Sequence, residues 1–286
     1  MRLSRLRILA GRLVMYILLL ILAFIMIYPL MWMIAASFRP NTDIFRELGL
    51  IVRNPIWTSY RDGWQGVGIP GITYTTFFTN TLIMVVPTVI FTMVSSYFTA
   101  YGFARYDFPF KMVFFSLMIG SLLLPQEVLI VPRYILFHNF GWLNTYLPFI
   151  IPAAFATHAF FVFLLFQFIR GIPRELDQSA KIDGAGSFRI CMHIILPLCK
   201  PALFSVTIFQ FVWRWNDFFQ PLIYINSVRR FPLSLGLRST IDLTGGVVMW
   251  GQVLAMGVVA MIPPTLVYIF AQRYFVEGVT MSGIKG

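Results

Sequence analysis

Charged residues are scarce in this chain: Asp, Glu, Lys and Arg make up 12% of its 286 residues, whereas soluble globular domains contain about 25%. Hydrophobic residues make up 58%. So few charges cannot cover the surface of a water-soluble fold, and so much apolar sequence excludes an intrinsically disordered protein. Together with a mean hydropathy of +0.78, the composition indicates an integral membrane protein.

Cysteine and histidine are also scarce. The two cysteines, Cys191 and Cys199, form neither a C-x-x-C motif nor a disulfide framework. The three histidines lie far apart and form no ligand cluster. The sequence also lacks a convincing nucleophile with its base or a pair of catalytic carboxylates. We therefore expect no metal site and no catalytic site, and we do not expect this chain to be an enzyme.

Long apolar stretches are abundant. A membrane-crossing helix needs about 20 apolar residues, and six stretches meet this requirement. They predict an all-α integral membrane protein with six transmembrane helices in a single domain, residues 1–286, with a loop at about 170–201 and a tail at 276–286. The predicted spans are 13–36, 77–103, 110–136, 146–169, 202–225 and 250–275.

The basic residues predict the orientation of these spans. Lys and Arg are enriched in cytoplasmic loops. If the N terminus is cytoplasmic, thirteen basic residues lie in cytoplasmic segments and eight lie outside. We therefore interpret the net charge of +11 as a topology signal rather than a nucleic-acid site, and we expect both termini in the cytoplasm.

The 170–201 segment, which we call the central loop, is the longest predicted cytoplasmic connection. Its first helical run carries acidic residues in its first turn and meets Gly184, a typical helix terminator. A second run, 187–196, ends before Pro197. This pattern predicts a helix–turn–helix outside the membrane, with Leu176 and Ala180 as a stripe for contact with another protein. The alternative is an amphipathic connector that lies on lipid.

The central loop resembles the EAA loop of permease subunits of bacterial carbohydrate ABC importers, the maltose-permease-like branch. That pattern is Glu-Ala-Ala, three residues, Gly, and a run that ends in Leu-Pro; here it is Gln178-Ser179-Ala180, Gly184 and Leu196-Pro197. Two positions differ, since Gln178 and Ser179 replace the signature glutamate and first alanine. The branch is further indicated by similar stretches at 143–146, 215–218 and 278–286.

The resemblance implies a type I ABC importer permease fold, located in the inner or plasma membrane of a bacterial cell. It also implies a set of partners: a second homologous permease, two ATPase subunits, an extracytoplasmic binding protein and the lipid bilayer. It also implies that the central loop couples to an ATPase and that the tail contacts it. The implied coupling residues are Glu175, Asp177, Gln178, Ser179, Ala180, Asp183, Gly184, Ala185 and Pro197. The implied tail residues are Thr280, Ser282, Gly283 and Lys285.

The chain lacks a phosphate-binding loop of its own. Such a loop needs Gly-Lys followed by Ser or Thr, and none of the four lysines follows a glycine. We therefore expect no cofactor on this chain, with ATP and Mg²⁺ bound by the partner ATPase.

The predicted fifth span carries the strongest polar cluster inside a membrane helix. Helical spacing places most of these residues on one face, and a charged residue inside a span usually faces the bundle interior or a wet cavity. We interpret the cluster as a candidate substrate path; the alternative is an Arg214–Asp217 ion pair that holds two helices together. The candidate residues are Gln210, Trp213, Arg214, Asn216, Asp217 and Gln220.

The resemblance favours a sugar or oligosaccharide as cargo. Tryptophan faces and amide or carboxylate groups suit the apolar and hydroxyl surfaces of sugars. Two alternatives stay open at this point. One is an ABC permease for a sugar phosphate, a polyol or another small solute, and the other is a secondary carrier driven by an ion gradient.

Overall fold

The structure is a computed structural model, which describes the backbone of residues 2–66, 69–242 and 248–283 and the side chains of 11–66, 69–241 and 248–271. Every regular element in these ranges is helical. In chain order the elements are α1 (Arg2–Ser37), α2 (Thr58–Gln65), α3 (Tyr74–Arg105), α4 (Lys111–Ser121), α5 (Ile130–Asn139), α6 (Leu147–Ala153), α7 (Ala159–Gly171), α8 (Glu175–Ile182), α9 (Ser187–Ile190), a π-helical turn (Cys191–Ile195), α10 (Leu196–Leu198), α11 (Lys200–Trp215), α12 (Phe219–Tyr224), a 3₁₀ turn (Val228–Arg230), α13 (Leu233–Asp242) and α14 (Trp250–Gly283).

Three described helices are long and apolar enough to cross a membrane: Gly11–Ser37, Tyr74–Arg105 and Trp250–Ala271. Their apolar length follows directly from the sequence. A fourth crossing is added if Ser187–Leu198 and Lys200–Trp215, which are bent by 74° relative to each other, count as one broken span.

The predicted spans at 110–136, 146–169 and 202–225 are not single helices. Each consists of two shorter helices with a break between them: α4 and α5, α6 and α7, α11 and α12. The first break contains Pro125, which disfavours a helical conformation in the residue before it. The second contains Ala156 in the left-handed region, at φ 55°. The predicted tail also differs, since α14 continues without a break through residue 276 to Gly283.

The chain divides into two compact units. The first comprises residues 1–74 and 237–261. Arg39 organises part of it: its side chain is 1% exposed and its guanidinium donates to the backbone carbonyls of Glu47, Gly49 and Ile51. A buried charge requires such partners, so this basic residue of the predicted first external loop stabilises the loop's fold.

The second unit comprises residues 75–236 and 262–286. Its hydrophobic core joins α3, α7, α11 and the central loop through small and aromatic side chains. Tyr97, Phe161, Ile195 and Val206 are among its buried members. The central loop therefore belongs to the core of this unit. The polar cluster predicted around Arg214 lies within the same unit.

Candidate functional site

The central loop is fixed to the end of α3 by charged and polar contacts. Arg105 Nε lies 2.8 Å from Asp177 Oδ2, and the two side chains are only 5% and 14% exposed. Arg105 Nη2 also donates to the carbonyl of Ile172 (3.0 Å), and Arg174 Nη2 donates to the carbonyl of Ala104 (3.2 Å). These contacts tie the start of α8 to α3. Removing one partner of such a shielded ion pair strongly destabilises a protein, because the other charge stays buried without compensation.

Two tyrosines of α3 tie the second half of the loop to the same helix. Tyr97 Oη donates to the carbonyl of Cys191 (2.7 Å), and Tyr101 Oη donates to that of Ser187 (3.5 Å). Tyr97 is 2% exposed, and Cys191 is buried beside it. The carbonyl of Cys191 also accepts the N–H of Leu196, five residues later, in the π-helical turn Cys191–Ile195.

Gly184 ends α8 as the sequence predicts. Its φ is +82°, a conformation that favours glycine. The N–H of Ala185 donates to the carbonyl of Ala180 (2.9 Å), and the N–H of Gly184 donates to that of Lys181 (3.0 Å). This is the hydrogen-bond pattern of a Schellman motif, which reverses the chain between α8 and α9.

The predicted contact stripe of Leu176 and Ala180 is wrong. Ala180 is 7% exposed and packs in the chain's own core, although Leu176 is 40% exposed. The most exposed large apolar side chains of the loop are instead those of Ile182, which is 87% exposed, and Phe188, which is 70% exposed. Helical spacing from Leu176 missed both residues, because they flank the turn at Gly184. Large apolar residues next to a turn signal could have indicated them.

The other implied coupling residues lie at the loop surface. Ala185 is half-buried, and Ser179 Oγ donates to the carbonyl of Leu176 (3.1 Å). The exposed members are Glu175, Gln178, Ser179, Asp183, Gly184 and Pro197. Of the implied tail residues, Thr280, Ser282 and Gly283 lie on α14 where no side chains are described, and Lys285 lies outside the described residues.

The second part of the site is the Arg214 cluster: Arg214, Asp217 and Gln220. Arg214 Nη1 donates to Asp217 Oδ2 (2.7 Å) and to Gln220 Oε1 (3.1 Å). The other carboxylate oxygen, Asp217 Oδ1, accepts the N–H of Gln220 (3.2 Å). The Arg214 guanidinium carbon also lies 5.3 Å from the centre of the Phe149 ring, within the range of a cation–π contact. The side chains of the ion pair are 8% and 15% exposed.

Pro221 explains why a helix break lies at this cluster. Proline has no N–H to donate to the carbonyl four residues earlier, and its ring clashes with that carbonyl. The residue four positions before Pro221 is Asp217, whose carbonyl instead accepts the Ser234 hydroxyl (2.7 Å). Thus α11 ends at Trp215, and the Arg214–Asp217 pair spans the break between α11 and α12.

The single helical face predicted for this region does not form. Trp213 is 51% exposed and packs against Phe160 and Phe161, with ring centroids at 5.4 and 5.2 Å. Asn216 is exposed and donates to a carbonyl of its own helix. Gln210 is 1% exposed, and its Nε2 has no hydrogen-bond partner among the described residues.

The alternative of an ion pair between two separate helices also needs correction. Arg214 and Asp217 lie three residues apart in one segment. The pair therefore fixes the shape of one broken helix, and it does not hold two distant helices together.

Asn144 supports the same region and was missed as a site residue. Its φ is 56°, a left-handed conformation that asparagine tolerates better than most residues. Its Oδ1 accepts the N–H groups of Asn226 (3.3 Å) and Ser227 (3.0 Å), and its own N–H donates to the carbonyl of Tyr224 (2.7 Å). The 143–146 stretch thus holds the chain that leaves α12.

No group of three or more His, Cys, Asp or Glu side chains suited to a metal ion occurs within the described parts of the chain. The central loop can offer an apolar contact surface on a tightly held frame. The Arg214 cluster can hold a helix break in one shape and present amide and aromatic groups beside it.

Comparison with known proteins gives three consistent findings. A family model described as the inner membrane component of binding-protein-dependent transport systems matches residues 77–281. The arabinooligosaccharides transport system permease protein AraQ of Halalkalibacterium halodurans is 34% identical over 265 residues, which cover 93% of each chain. The sn-glycerol-3-phosphate transport system permease protein UgpE of Rhizobium meliloti is 29% identical over 271 residues, covering 94% of this chain and 95% of that protein.

A solved structure gives the fold. The crystal structure of a bacterial ABC transporter involved in the import of the acidic polysaccharide alginate contains a chain with a TM-score of 0.81 and 22% sequence identity. The match covers 93% of this chain and 96% of that chain. The predicted fold class, an all-α type I ABC importer permease, is confirmed.

Proposed function

The chain belongs to the family of inner membrane components of binding-protein-dependent transport systems, and on that premise we propose that the ABC importer of which it is a permease subunit carries an oligosaccharide. The family assignment leaves no support for the alternative of an ion-driven secondary carrier. The relative with 34% identity is named for arabinooligosaccharides, and this observation carries the proposal on the cargo.

The second candidate cargo is a sugar phosphate or polyol phosphate. It is supported by the 29% identity to a permease named for sn-glycerol-3-phosphate. A phosphate needs a cation that is free to bind it. In the Arg214 cluster the guanidinium is hydrogen-bonded to Asp217 and Gln220, and Arg214 as a whole is only 7% exposed. This arrangement favours a neutral sugar over a phosphorylated one.

We further propose that the central loop docks on an ATPase subunit through Leu176, Ile182 and Phe188. These apolar side chains are exposed, whereas the backbone behind them is tied to α3 by Arg105, Tyr97 and Tyr101. A displacement of the loop is therefore passed to α3 as a rigid movement, as required for a switch between two packed states. Gln178 and Asp183 lie on the exposed surface of the loop and add polar contacts.

The remaining parts of the importer are part of the same proposal. The family description supports a binding protein delivering the cargo from outside; we propose a second homologous permease and two ATPase subunits that bind ATP and Mg²⁺. The tail residues Thr280, Ser282, Gly283 and Lys285 would contact the ATPase. The excess of basic residues in segments on the side of the N terminus supports cytoplasmic termini and a cytoplasmic central loop.

Purification from the native membrane tests the assembly. The chain is tagged at its C terminus through a flexible linker, and in parallel at its N terminus, so that interference with the tail is detected. We expect an ATPase with a phosphate-binding loop and a second permease to co-purify, and the double variant Ile182→Ser/Phe188→Ser to lose the ATPase but keep the second permease. Recovery of the chain alone with both tags would contradict the proposal.

Uptake into proteoliposomes that contain the purified importer and its binding protein tests the cargo. We expect saturable, ATP-dependent uptake of neutral oligosaccharides. Uptake of glycerol 3-phosphate at a higher kcat/KM than any neutral oligosaccharide would favour the second candidate.

A further inference from the structure

A cavity of about 820 Å³ lies where the end of α3, the start of α4, the end of α7 and the first residues of the central loop meet. Four basic residues line it: Arg105, Lys111, Arg170 and Arg174. Two acidic residues, Asp107 and Glu175, also line it. The cavity is thus basic on balance, and it is separate from the Arg214 cluster and from the exposed apolar residues of the central loop.

The four basic side chains differ in their ion-pair and hydrogen-bond partners. Arg105 is paired with Asp177. Lys111 is bound to Asp107 (3.0 Å) and lowers the pKa of that carboxyl. Within the described residues, the hydrogen bond of Arg174 goes to the backbone carbonyl of Ala104, and its charge adds a smaller lowering of the pKa of Asp107. The exposed Arg170 side chain has no hydrogen bond or ion pair within the described part of the chain.

The net charge of the cavity is therefore set by three of its side chains, those of Arg170, Arg174 and Glu175. Arg105 and Lys111 are each neutralised by their carboxylate partner. This leaves Arg170 and Arg174 against Glu175. One positive charge is in excess, and two guanidinium groups in one cavity are well suited to a phosphate oxygen pair.

The other wall of the cavity is apolar and aromatic. Phe115 packs against Phe103 and Phe166, with ring centroids at 5.6 and 4.7 Å. Met112, also in the lining, is 74% exposed. The rest of α4 also has no buried residue, and its exposed apolar side chains include Phe114 and Leu117. In a membrane protein, such a surface faces acyl chains.

We propose that this cavity binds an anionic phospholipid, with its phosphate on Arg170 and Arg174 and its acyl chains along Met112 and Phe115. Basic pockets next to membrane helices bind lipid head groups in this way. A partner protein explains the apolar wall less well, because α4, which carries part of that wall, has no buried residue and exposes apolar side chains around its axis, as a helix surrounded by acyl chains does. The bound lipid would join α4 and α7 to the first residues of the central loop.

The test uses the complete importer, purified in detergent, with bound lipids counted by native mass spectrometry during titration with phosphatidylglycerol. We expect retention of phosphatidylglycerol, and an affinity about fivefold lower in Arg170→Gln, since one basic residue contributes about that factor at a membrane surface. Arg189→Gln, another exposed arginine of the central loop that does not line the cavity, serves as the matched control and should bind lipid as the wild type does.

Several results would overturn the proposal. One is unchanged affinity in Arg170→Gln, and another is equal retention of phosphatidylethanolamine, which would remove the preference for an anion. Displacement of the lipid by millimolar inorganic phosphate would show a site for the free ion rather than for a lipid. Loss of the ATPase subunit from Arg170→Gln, without lipid bound in the wild type, would show that a protein covers the cavity.

Discussion

The second unit contains two buried ion pairs of nearly the same length and exposure. Arg105–Asp177 is 2.8 Å long with side chains 5% and 14% exposed, and Arg214–Asp217 is 2.7 Å long with side chains 8% and 15% exposed. They differ in what they connect. The first joins the end of α3 to the central loop, whereas the second joins residues three positions apart across a helix break.

This comparison shows that distance and burial alone do not give a charged pair its role. Breaking Arg105–Asp177 would weaken the attachment of one element to another, because the two partners belong to elements far apart in the chain. Breaking Arg214–Asp217 would leave its chain segment connected but would free the angle between α11 and α12. We therefore expect the first pair to control coupling and the second to control local shape and stability.

The largest effect is expected for Asp177→Asn. The change leaves Arg105 with an uncompensated buried charge, which destabilises a protein by about 3–5 kcal/mol, and it loosens the loop that carries the exposed apolar side chains. We expect uptake to fall at least tenfold, with ATP hydrolysis no longer stimulated by the loaded binding protein. Both activities are measured on the reconstituted importer.

Asp107→Asn is the control for that variant. It removes the same charge from an ion pair whose carboxylate side chain is 87% exposed, and exposed pairs contribute little to stability. Equal losses of uptake in the two variants would contradict a special role for Arg105–Asp177.

The next effect is expected for Asp217→Asn. Removing one partner of this pair also costs about 3–5 kcal/mol, which corresponds to a Tm lower by roughly 10 °C. We expect the KM of transport to be unchanged, since the pair fixes the break. Thermal unfolding and uptake kinetics are measured on the same preparation.

The double variant Arg214→Leu/Asp217→Leu separates shape from transport. Replacement of both partners by apolar residues is often neutral for stability, so we expect much of the Tm to return, with uptake kinetics like those of the wild type. Restored stability without uptake would instead place these charges on the substrate path.

A smaller effect is expected for Gly184→Val. A left-handed conformation costs an ordinary residue roughly 1–2 kcal/mol, although an added Cβ would meet no atom within 4 Å. We expect normal insertion, a several-fold loss of uptake and partial recovery in Gly184→Asn. In Gly186→Ala, at a glycine of ordinary φ of −71°, uptake should match the wild type. Wild-type uptake by Gly184→Val would contradict the role of this turn in coupling.

The smallest effect is expected for Ser234→Ala. It removes the hydroxyl that binds the free carbonyl of Asp217, and a hydrogen bond of this kind contributes about 1 kcal/mol. We expect a Tm lower by about 3 °C. Ser205→Ala is the control, since that hydroxyl binds a carbonyl of its own helix. A Tm loss as large in Ser205→Ala would show that the carbonyl at the break has no special need of a donor.

The central loop illustrates how far sequence reasoning reaches. Gly184 as the end of α8 was predictable, because only a residue that tolerates positive φ closes a helix in this way. The contact surface was not, since helical spacing pairs Ala180 with Leu176 but does not reveal which face the core of the same chain covers. Ala180 is buried, and the exposed apolar surface of the loop is formed by Ile182 and Phe188 beside Leu176.

The break in the fifth predicted span depends on a proline and on a hydrogen bond to a residue outside the span, and neither is part of a helical periodicity argument. The pattern predicted one face across 210–220, because the helical period was continued to Gln220 without allowing for the effect of Pro221 on the carbonyl four residues before it. In the structure that proline releases the carbonyl of Asp217, and Ser234, remote in sequence, binds it.

The membrane environment, the family resemblance, the main apolar helices and the turn at Gly184 could be predicted from the sequence, because they depend on composition, local motifs and backbone preference. The folded structure was needed to establish that Arg105 binds Asp177, that the Arg214–Asp217 pair spans a helix break, and that Asn144 holds the chain after α12. Such partners are chosen by which elements pack together, and a buried charge or carbonyl must pair with whatever donor or acceptor that packing brings within reach.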